Sequence, residues 1–279
     1  SITVSDAEVD ATAINSLDTK TTTAITLSNS TITGALTTTL TDAVNAALAS
    51  DGITTSGSLN VKSSDANNTI DEVNTASALT TGVVTATLTK ADGTSLTLAE
   101  LADLNDTGNA YTINVADTAT VGAAALNVLN GKTTGVVTVN ATKITGALSD
   151  IKSIYDANTA GEVAGLGNEV VSISDTGNIS ASTLNGLNGL TTGVVTVIGV
   201  TTVTGTLADL KAAYAANSAG TISGLGNEAI SIADLGTVVS ASDLTDIKAL
   251  TTGNVSVSLS GSSVTATSLN SLDTSSTEI

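Results

Sequence analysis

Residues 191–197 read Thr191-Thr192-Gly193-Val194-Val195-Thr196-Val197, and this heptapeptide recurs through the chain. Related copies begin at Thr21, Thr80, Thr133 and Thr251, with start-to-start spacings of 59, 53, 58 and 60 residues. A recurring period of this kind is typical of repeat architectures. Within each copy apolar and polar residues alternate, and this period of two predicts a strand with one buried face.

A second recurring strand ends in aspartate, and its copies end at Asp6, Asp117, Asp175 and Asp234. A degraded copy occupies Leu59–Ser63. Each strand of either kind leads into a segment whose apolar residues lie three or four positions apart. That spacing predicts a short helix, with Thr206 or Ser242 placed to cap its first turn.

These patterns predict a mainly β fold with short helices. We expect a parallel β-solenoid of about five double repeats of ~58 residues, with two coils per repeat and a strand plus a short helix in each coil. Longer coils carry the glycine-rich inserts Ala160–Glu169 and Ala219–Glu228, where glycine permits tight chain reversal. We expect residues 1–279 to form one continuous repeat domain, and the start at Ser1 without methionine predicts a fragment of a longer chain.

The composition restricts the class of protein. Hydrophobic residues make up 41% of the chain but aromatic residues only 1%, so we expect a core of valine, isoleucine, leucine and alanine. No apolar run approaches the ~20 residues that span a bilayer, which predicts no membrane span. The net charge of −18 comes from 26 acidic residues against 8 lysines, and it excludes nucleic acid and anionic membrane as favourable partners.

The missing residue types narrow the chemistry. The chain contains no histidine, cysteine or arginine, which excludes the usual catalytic triads, thiol nucleophiles and imidazole metal sites. A catalytic serine–lysine pair is not excluded by the composition, because both residue types are present. Because the acidic residues mostly recur with the repeat, as structural positions do, we predict that the protein is not an enzyme and requires no cofactor.

The strongest candidates for a functional site are four carboxylates that could ligate a metal ion, Asp6, Asp117, Asp175 and Asp234. One interpretation is a turn in which each carboxylate accepts backbone amides, and the other is a calcium site. Carboxylates two coils apart would be ~9.6 Å from each other, too far to share one ion, so the turn is favoured. We therefore expect calcium to stabilise the fold through its acidic surface without being needed for folding.

The recurring hydroxyl side chains are a candidate binding surface. We expect one row on the outside of a strand face, made of Thr26, Thr85, Thr138, Thr196 and Ser256. Regular rows of this kind can bind ice or carbohydrate, although such residues are also ordinary on solvent-facing strands. Tyr155 and Tyr214 occupy equivalent helix positions, and we expect each to pack with its hydroxyl at the rim.

The combination of TTGVVTV, VTGTLADLKAAYAAN, ISGLGNEAISIAD and VSASDLTDIKAL resembles the repeat arrays of very large secreted bacterial surface proteins, chiefly those of marine cyanobacteria. The resemblance covers most of the chain and is strongest from Ala119 onward. It implies an extracellular, cell-surface location in a polymeric layer, an appendage or an adhesin stalk. It implies no catalytic residue.

The leading functional hypothesis is a non-enzymatic structural segment of a secreted surface layer, filament or adhesin stalk. The alternative is a binding module that uses the threonine-rich or insert face to hold glycan, ice or another surface. Neither end of the chain has the sequence of a capping element, so further repeats or another protomer are expected to stack end to end.

Overall fold

The structure, a computed structural model, describes residues 1–28, 31–36, 52–55, 58–233, 239–257 and 277–278. The chain divides into two compact units. Unit 1 comprises Ser1–Asp117, Val128–Asn140 and Ala160–Gly165, and unit 2 comprises Thr118–Asn127, Ala141–Thr159 and Leu166–Ile279. The expectation of one continuous domain over 1–279 stays a prediction.

Unit 1 contains two parallel sheets, with strands numbered in chain order through the molecule. Sheet 1 is made of β1 (Ile2–Val4), β3 (Ile25–Leu27) and β5 (Ile53–Thr55), in that order. Sheet 2 runs from β12 (Val163–Ala164) through β10 (Val137–Thr138), β8 (Ala110–Asn114), β7 (Val84–Leu88), β6 (Asn60–Ser63) and β4 (Thr31–Gly34) to β2 (Glu8–Asp10).

Unit 2 contains two five-stranded parallel sheets. Sheet 3 runs in the order β17 (Ile222–Ser223), β15 (Val195–Val197), β13 (Val170–Ile173), β11 (Lys143–Gly146) and β9 (Thr120–Gly122). Sheet 4 runs in the order β14 (Asn178–Ser180), β16 (Thr202–Gly205), β18 (Ala229–Ile232), β19 (Val255–Val257) and β20 (Thr277–Glu278).

Seven α-helices of 8 to 13 residues accompany the described strands. They are α1 (Ala11–Asp18), α2 (Ile70–Ala78), α3 (Ala123–Asn130), α4 (Leu148–Ala160), α5 (Ala181–Asn188), α6 (Leu207–Ala219) and α7 (Ala241–Lys248). A short 3-10 turn occupies Glu100–Asp103. As predicted, Thr206 caps α6, its hydroxyl accepting a hydrogen bond from the Asp209 amide at 3.1 Å. The cap of α7 is Ser240 rather than Ser242, because Asp243 completes a reciprocal capping box with Ser240.

The predicted fold class, a mainly β parallel solenoid of double repeats, is wrong. Helices take up about as many described residues as strands, and the strands form four separate open sheets, so the fold is α/β. The TTGVVTV strands are distributed over all four sheets, as β3, β7, β10, β15 and β19. The prediction assumed one continuous stack in which the two kinds of coil alternate. The two recurring strands are neighbours locally, because β15 pairs with the aspartate-motif strand β13, but its other neighbour is the insert strand β17 and the next aspartate-motif strand, β18, lies in another sheet.

The predicted alternation and core composition are confirmed locally. In β15, Val195 and Val197 are buried and Thr196 is half-buried, and in β7 the buried residues are Val84, Ala86 and Leu88. Apart from the three tyrosines, the described core is aliphatic. Each sheet therefore buries one valine- and isoleucine-rich face and turns small polar residues outward.

The TTG triplet has a specific structural role. The Thr191 hydroxyl donates to the Glu169 carbonyl at 3.2 Å and accepts from the Gly193 amide at 3.0 Å. Thr133 and Thr251 make the corresponding contacts in the other copies. At Gly193 the neighbouring backbone is so close that an added Cβ would lie 2.0 Å from the Glu169 carbonyl oxygen. The triplet at Thr191–Gly193 thus joins the chain just before β15 to the chain just before β13.

Helices are tied to the next segment by asparagine. The fifth residue of α2, α3 and α5 is Asn74, Asn127 or Asn185, respectively. Their side-chain amides donate to the carbonyl oxygens of Asp103, Asp150 and Asp209 at 3.1, 2.9 and 2.9 Å. A single polar position therefore fixes the spacing between successive segments within each unit.

Candidate functional site

A groove of about 220 Å³ lies in unit 1, where the chain departs from the repeat. It is lined by Thr69, Ile70, Asp71, Thr89, Lys90, Leu96, Glu100 and Asp103. The segment between Thr89 and Asn109 belongs to the shortest of the repeats, and it forms a 3-10 turn where later copies form the helices α4 and α6. The sequence prediction missed this groove, and the one available signal was the short spacing of 53 residues between the copies at Thr80 and Thr133.

Three elements position the lining of the groove. The N-terminus of α2 is held by a capping box in which Glu72 accepts from the Thr69 amide at 2.8 Å. Strand β7 ends just before Thr89 and delivers Lys90. The 3-10 turn supplies Glu100 and Asp103, and it begins with the same kind of contact, because Glu100 accepts from the Thr97 amide at 2.8 Å.

Electrostatics make the groove a poor acid–base site. The Lys90 ammonium lies 2.9 Å from Glu100 Oε1. The Thr97 amide, with Lys90 and the Thr97 hydroxyl, lowers the pKa of Glu100 to about 2. Glu100 is therefore ionised at neutral pH and cannot donate a proton. The groove can therefore offer hydrogen bonds and charge to a small polar molecule. Lys90 and Glu100, which are paired with each other, do not form an activated nucleophile.

Among the described residues, the aspartates predicted as metal ligands do not come together, and the two whose contacts are known each bind a different backbone amide. Asp117 accepts from the Leu98 amide at 2.7 Å, and Asp175 accepts from the Leu148 amide, the first residue of α4, at 2.7 Å. Asp6 also has an interaction partner. Asp234 lies outside the described residues. Within the described ranges no group of three or more acidic side chains is placed to hold a metal ion.

We expect the far-ultraviolet circular dichroism of the chain to be unchanged in EDTA at about 0.15 M NaCl. The reason is that Asp117 and Asp175 already satisfy backbone amides without an ion. Calcium should raise the melting temperature by a few degrees, and added sodium chloride should reproduce much of that rise by screening the charge of −18. A chain that unfolds in EDTA and refolds with calcium alone would show that the aspartates form a metal site.

The two inserts end in buried carboxylates. Glu169 and Glu228 are 1% and 4% exposed. The Tyr155 hydroxyl donates to Glu169 Oε2 at 2.7 Å, and the Gly167 amide donates to the same oxygen at 2.9 Å. Tyr214 and Gly226 bind Glu228 in the same way, one repeat later. The inserts are thus stabilised by interior polar clusters, and these glutamates are not presented to a ligand.

The predicted position of the tyrosine hydroxyls at the rim is wrong. Tyr155 and Tyr214 are buried, and their hydroxyls point to the glutamates. Burial, then the hydrogen bond to the glutamate and its charge, raises the pKa of both tyrosines well above the usual value. The available signal was the constant spacing of 14 residues from tyrosine to glutamate in both copies.

Replacing Tyr155 by phenylalanine should lower the free energy of unfolding by about 2 kcal/mol, because it removes a hydrogen bond to a buried carboxylate. The matched control is Tyr111→Phe, since the Tyr111 hydroxyl is buried beside Ser77 and Asn109 but makes no hydrogen bond of normal distance and angle to the described residues. That change should cost less than about 0.5 kcal/mol. Urea unfolding measures both, and equal losses in the two variants would contradict the role of the Tyr155–Glu169 pair.

The predicted single hydroxyl row does not form, because its members lie in all four sheets. The structure builds different rows instead. In sheet 3, Thr145, Ser172, Thr196 and Ser223 are successive partners in register. In sheet 4 the corresponding row is Ser180, Thr204, Ser231 and Ser256. Each row takes residues from both recurring strands, which is why counting one motif could not find it.

Comparison with protein-family models, curated proteins and solved structures gives no match. The resemblance to secreted bacterial repeat arrays accordingly stays a prediction. Among the described helices none is long and apolar enough to cross a bilayer, in agreement with the predicted lack of a membrane span.

Proposed function

We propose that the chain is a non-enzymatic structural segment of an extracellular surface layer, filament or adhesin stalk. The observation that supports this most is the paired interior cluster Tyr155–Glu169 and Tyr214–Glu228, in which recurring polar residues are used to stabilise the fold. The lysines are used similarly. Four of them form ion pairs with carboxylates: Lys62, Lys90, Lys152 and Lys211. Two more, Lys132 and Lys248, donate hydrogen bonds to backbone carbonyl oxygens.

The test is an activity screen of the purified chain against hydrolase and transferase substrates. The expected result is no turnover above a heat-denatured control. Turnover that disappears when Lys90 or one serine is replaced by alanine would contradict the proposal. Lys90 is the lysine to replace first, because it lines the groove that breaks the repeat.

A second candidate is a binding module, and the hydroxyl rows of sheets 3 and 4 favour it. Their members are half-buried side chains repeated at strand spacing, about 4.8 Å apart. A glycan array and an ice-recrystallisation assay test this function. If it is correct, Thr204→Val in the central part of the sheet 4 row should weaken the response, whereas a purely structural segment should give no signal in either assay.

A further inference from the structure

Sheet 3 turns outward a face that differs from the rest of this acidic chain. The side chains on the outward positions of its five strands are serine, threonine, glycine, valine and isoleucine, with Lys143 as the one charged residue among the described positions. The chain as a whole carries 26 acidic residues against 8 lysines. This face therefore lacks the repulsive charge that is abundant elsewhere.

The same face exposes aliphatic side chains in register. Val171 pairs with Val195, so the preceding residues Val170 and Val194 are neighbours on adjacent strands, and they are 43% and 38% exposed. Ile198 directly follows β15 and is 63% exposed, and the alternation of exposed and buried residues from Val194 to Ile198 places both on the outward side. Thr196 lies between Val194 and Ile198. An apolar stripe thus crosses a surface of small residues.

We infer that this face docks against the same face of a second copy of the chain, sheet against sheet. The inference rests on the proposed structural function and names its partner. Two chains of charge −18 repel each other wherever carboxylates meet, and this face has none. A sugar partner fits less well, because the three tyrosines are the only aromatic residues of the chain and all are buried, which leaves no ring for stacking.

A two-fold axis through Thr196 makes the contact self-complementary. It brings Val194 of one copy opposite the partner's Ile198, and the reverse. The face measures roughly 24 by 13 Å, so two copies bury about 600 Å² in total. This is below the ~1,200 Å² of a standard interface, so the dimer is weak, with a Kd on the order of 100 μM or weaker.

Sedimentation velocity of the 1–279 chain over a concentration series tests the inference. Dimer should increase between about 0.02 and 0.5 M NaCl as the mutual repulsion is screened. Val194→Asp and Ile198→Asp should each raise the Kd at least ~tenfold, because each places a carboxylate in the contact. The matched controls are Val83→Asp and Val128→Asp in unit 1, where the native side chains are 41% and 64% exposed. Both controls should dimerise like the unchanged chain.

Because the chain has no cysteine, Thr196→Cys supplies one thiol beside the axis. Facing sheets lie about 10 Å apart, so a short bis-maleimide should link this variant into dimers and should not link Thr85→Cys, the same motif position in sheet 2.

Circular dichroism confirms that each variant is folded. A strictly monomeric chain at high salt, or a dimer equally weakened by the unit 1 controls, would overturn the inference. Glycan binding that Val194→Asp abolishes, without any dimer, would also overturn it by assigning the face to sugar. Enzymatic turnover would contradict the proposed structural function but would not affect the conclusion about the dimer.

Discussion

Replacing Gly193 by alanine should lower the free energy of unfolding by about 3 kcal/mol. An added Cβ would lie 2.0 Å from the carbonyl oxygen and 2.5 Å from the carbonyl carbon of Glu169. These are backbone atoms of the residue that precedes strand β13, so they cannot rotate away as the end of a long side chain can. Urea unfolding followed by far-ultraviolet circular dichroism measures the loss.

The control for this change is Gly177→Ala, in the same unit. A Cβ at Gly177 would meet nothing within 4 Å, so its replacement should change the free energy of unfolding by less than about 0.5 kcal/mol. Equal stability of the two variants would mean that the close approach at Gly193 does not constrain the fold.

Raising the pH above 10 should destabilise the protein through its buried tyrosines. Burial raises the pKa of Tyr111 to about 12, from 10.0 for an exposed tyrosine. Below pH 10 the side chain is neutral in both the folded and the unfolded chain. Above pH 10 the unfolded chain loses the proton first, so stability falls until about pH 12. Two pH units correspond to about 2.7 kcal/mol from Tyr111, and Tyr155 and Tyr214 act in the same direction.

Urea unfolding at several pH values between about 8 and 12 measures this loss, and tyrosinate absorbance reports ionisation. Tyr111→Phe separates the tyrosine effect from loss of lysine charge, which occurs in the same range. The variant should lose less stability than the unchanged chain as the pH rises. A free energy of unfolding that is constant over this range would show that the tyrosines ionise as readily in the folded protein as in the unfolded chain.

Local structure could be predicted because it depends on neighbouring residues. The strand at Val195–Val197 and the cap at Thr206 follow from short-range alternation and from a hydroxyl placed before an apolar helix face. The tight reversals of the inserts follow from glycine, and Gly165 and Gly224 adopt φ of 92° and 95°. Each of these features is decided within a few residues of sequence.

The division of the strands into four sheets could not be predicted in the same way. Both recurring strands have the same alternation, so the sequence does not mark where one sheet ends and the next begins: β15 pairs with β13 in sheet 3, whereas the next aspartate-motif strand, β18, lies in sheet 4. The groove could not be predicted because its lining comes from α2, β7 and the 3-10 turn, which are separated in sequence and brought together by the fold. The tyrosine–glutamate pairs were missed because a carboxylate was expected at the surface.

The tyrosine and glutamate of each interior cluster are 14 residues apart in one unbroken segment. A tandem duplication of the gene that copies residues 155–169 therefore copies donor and acceptor together. The new segment inherits its own hydroxyl donor, so lengthening the chain adds no buried glutamate that lacks this hydrogen bond. Arrays of this repeat can grow or shrink by whole segments without a compensating mutation at these positions.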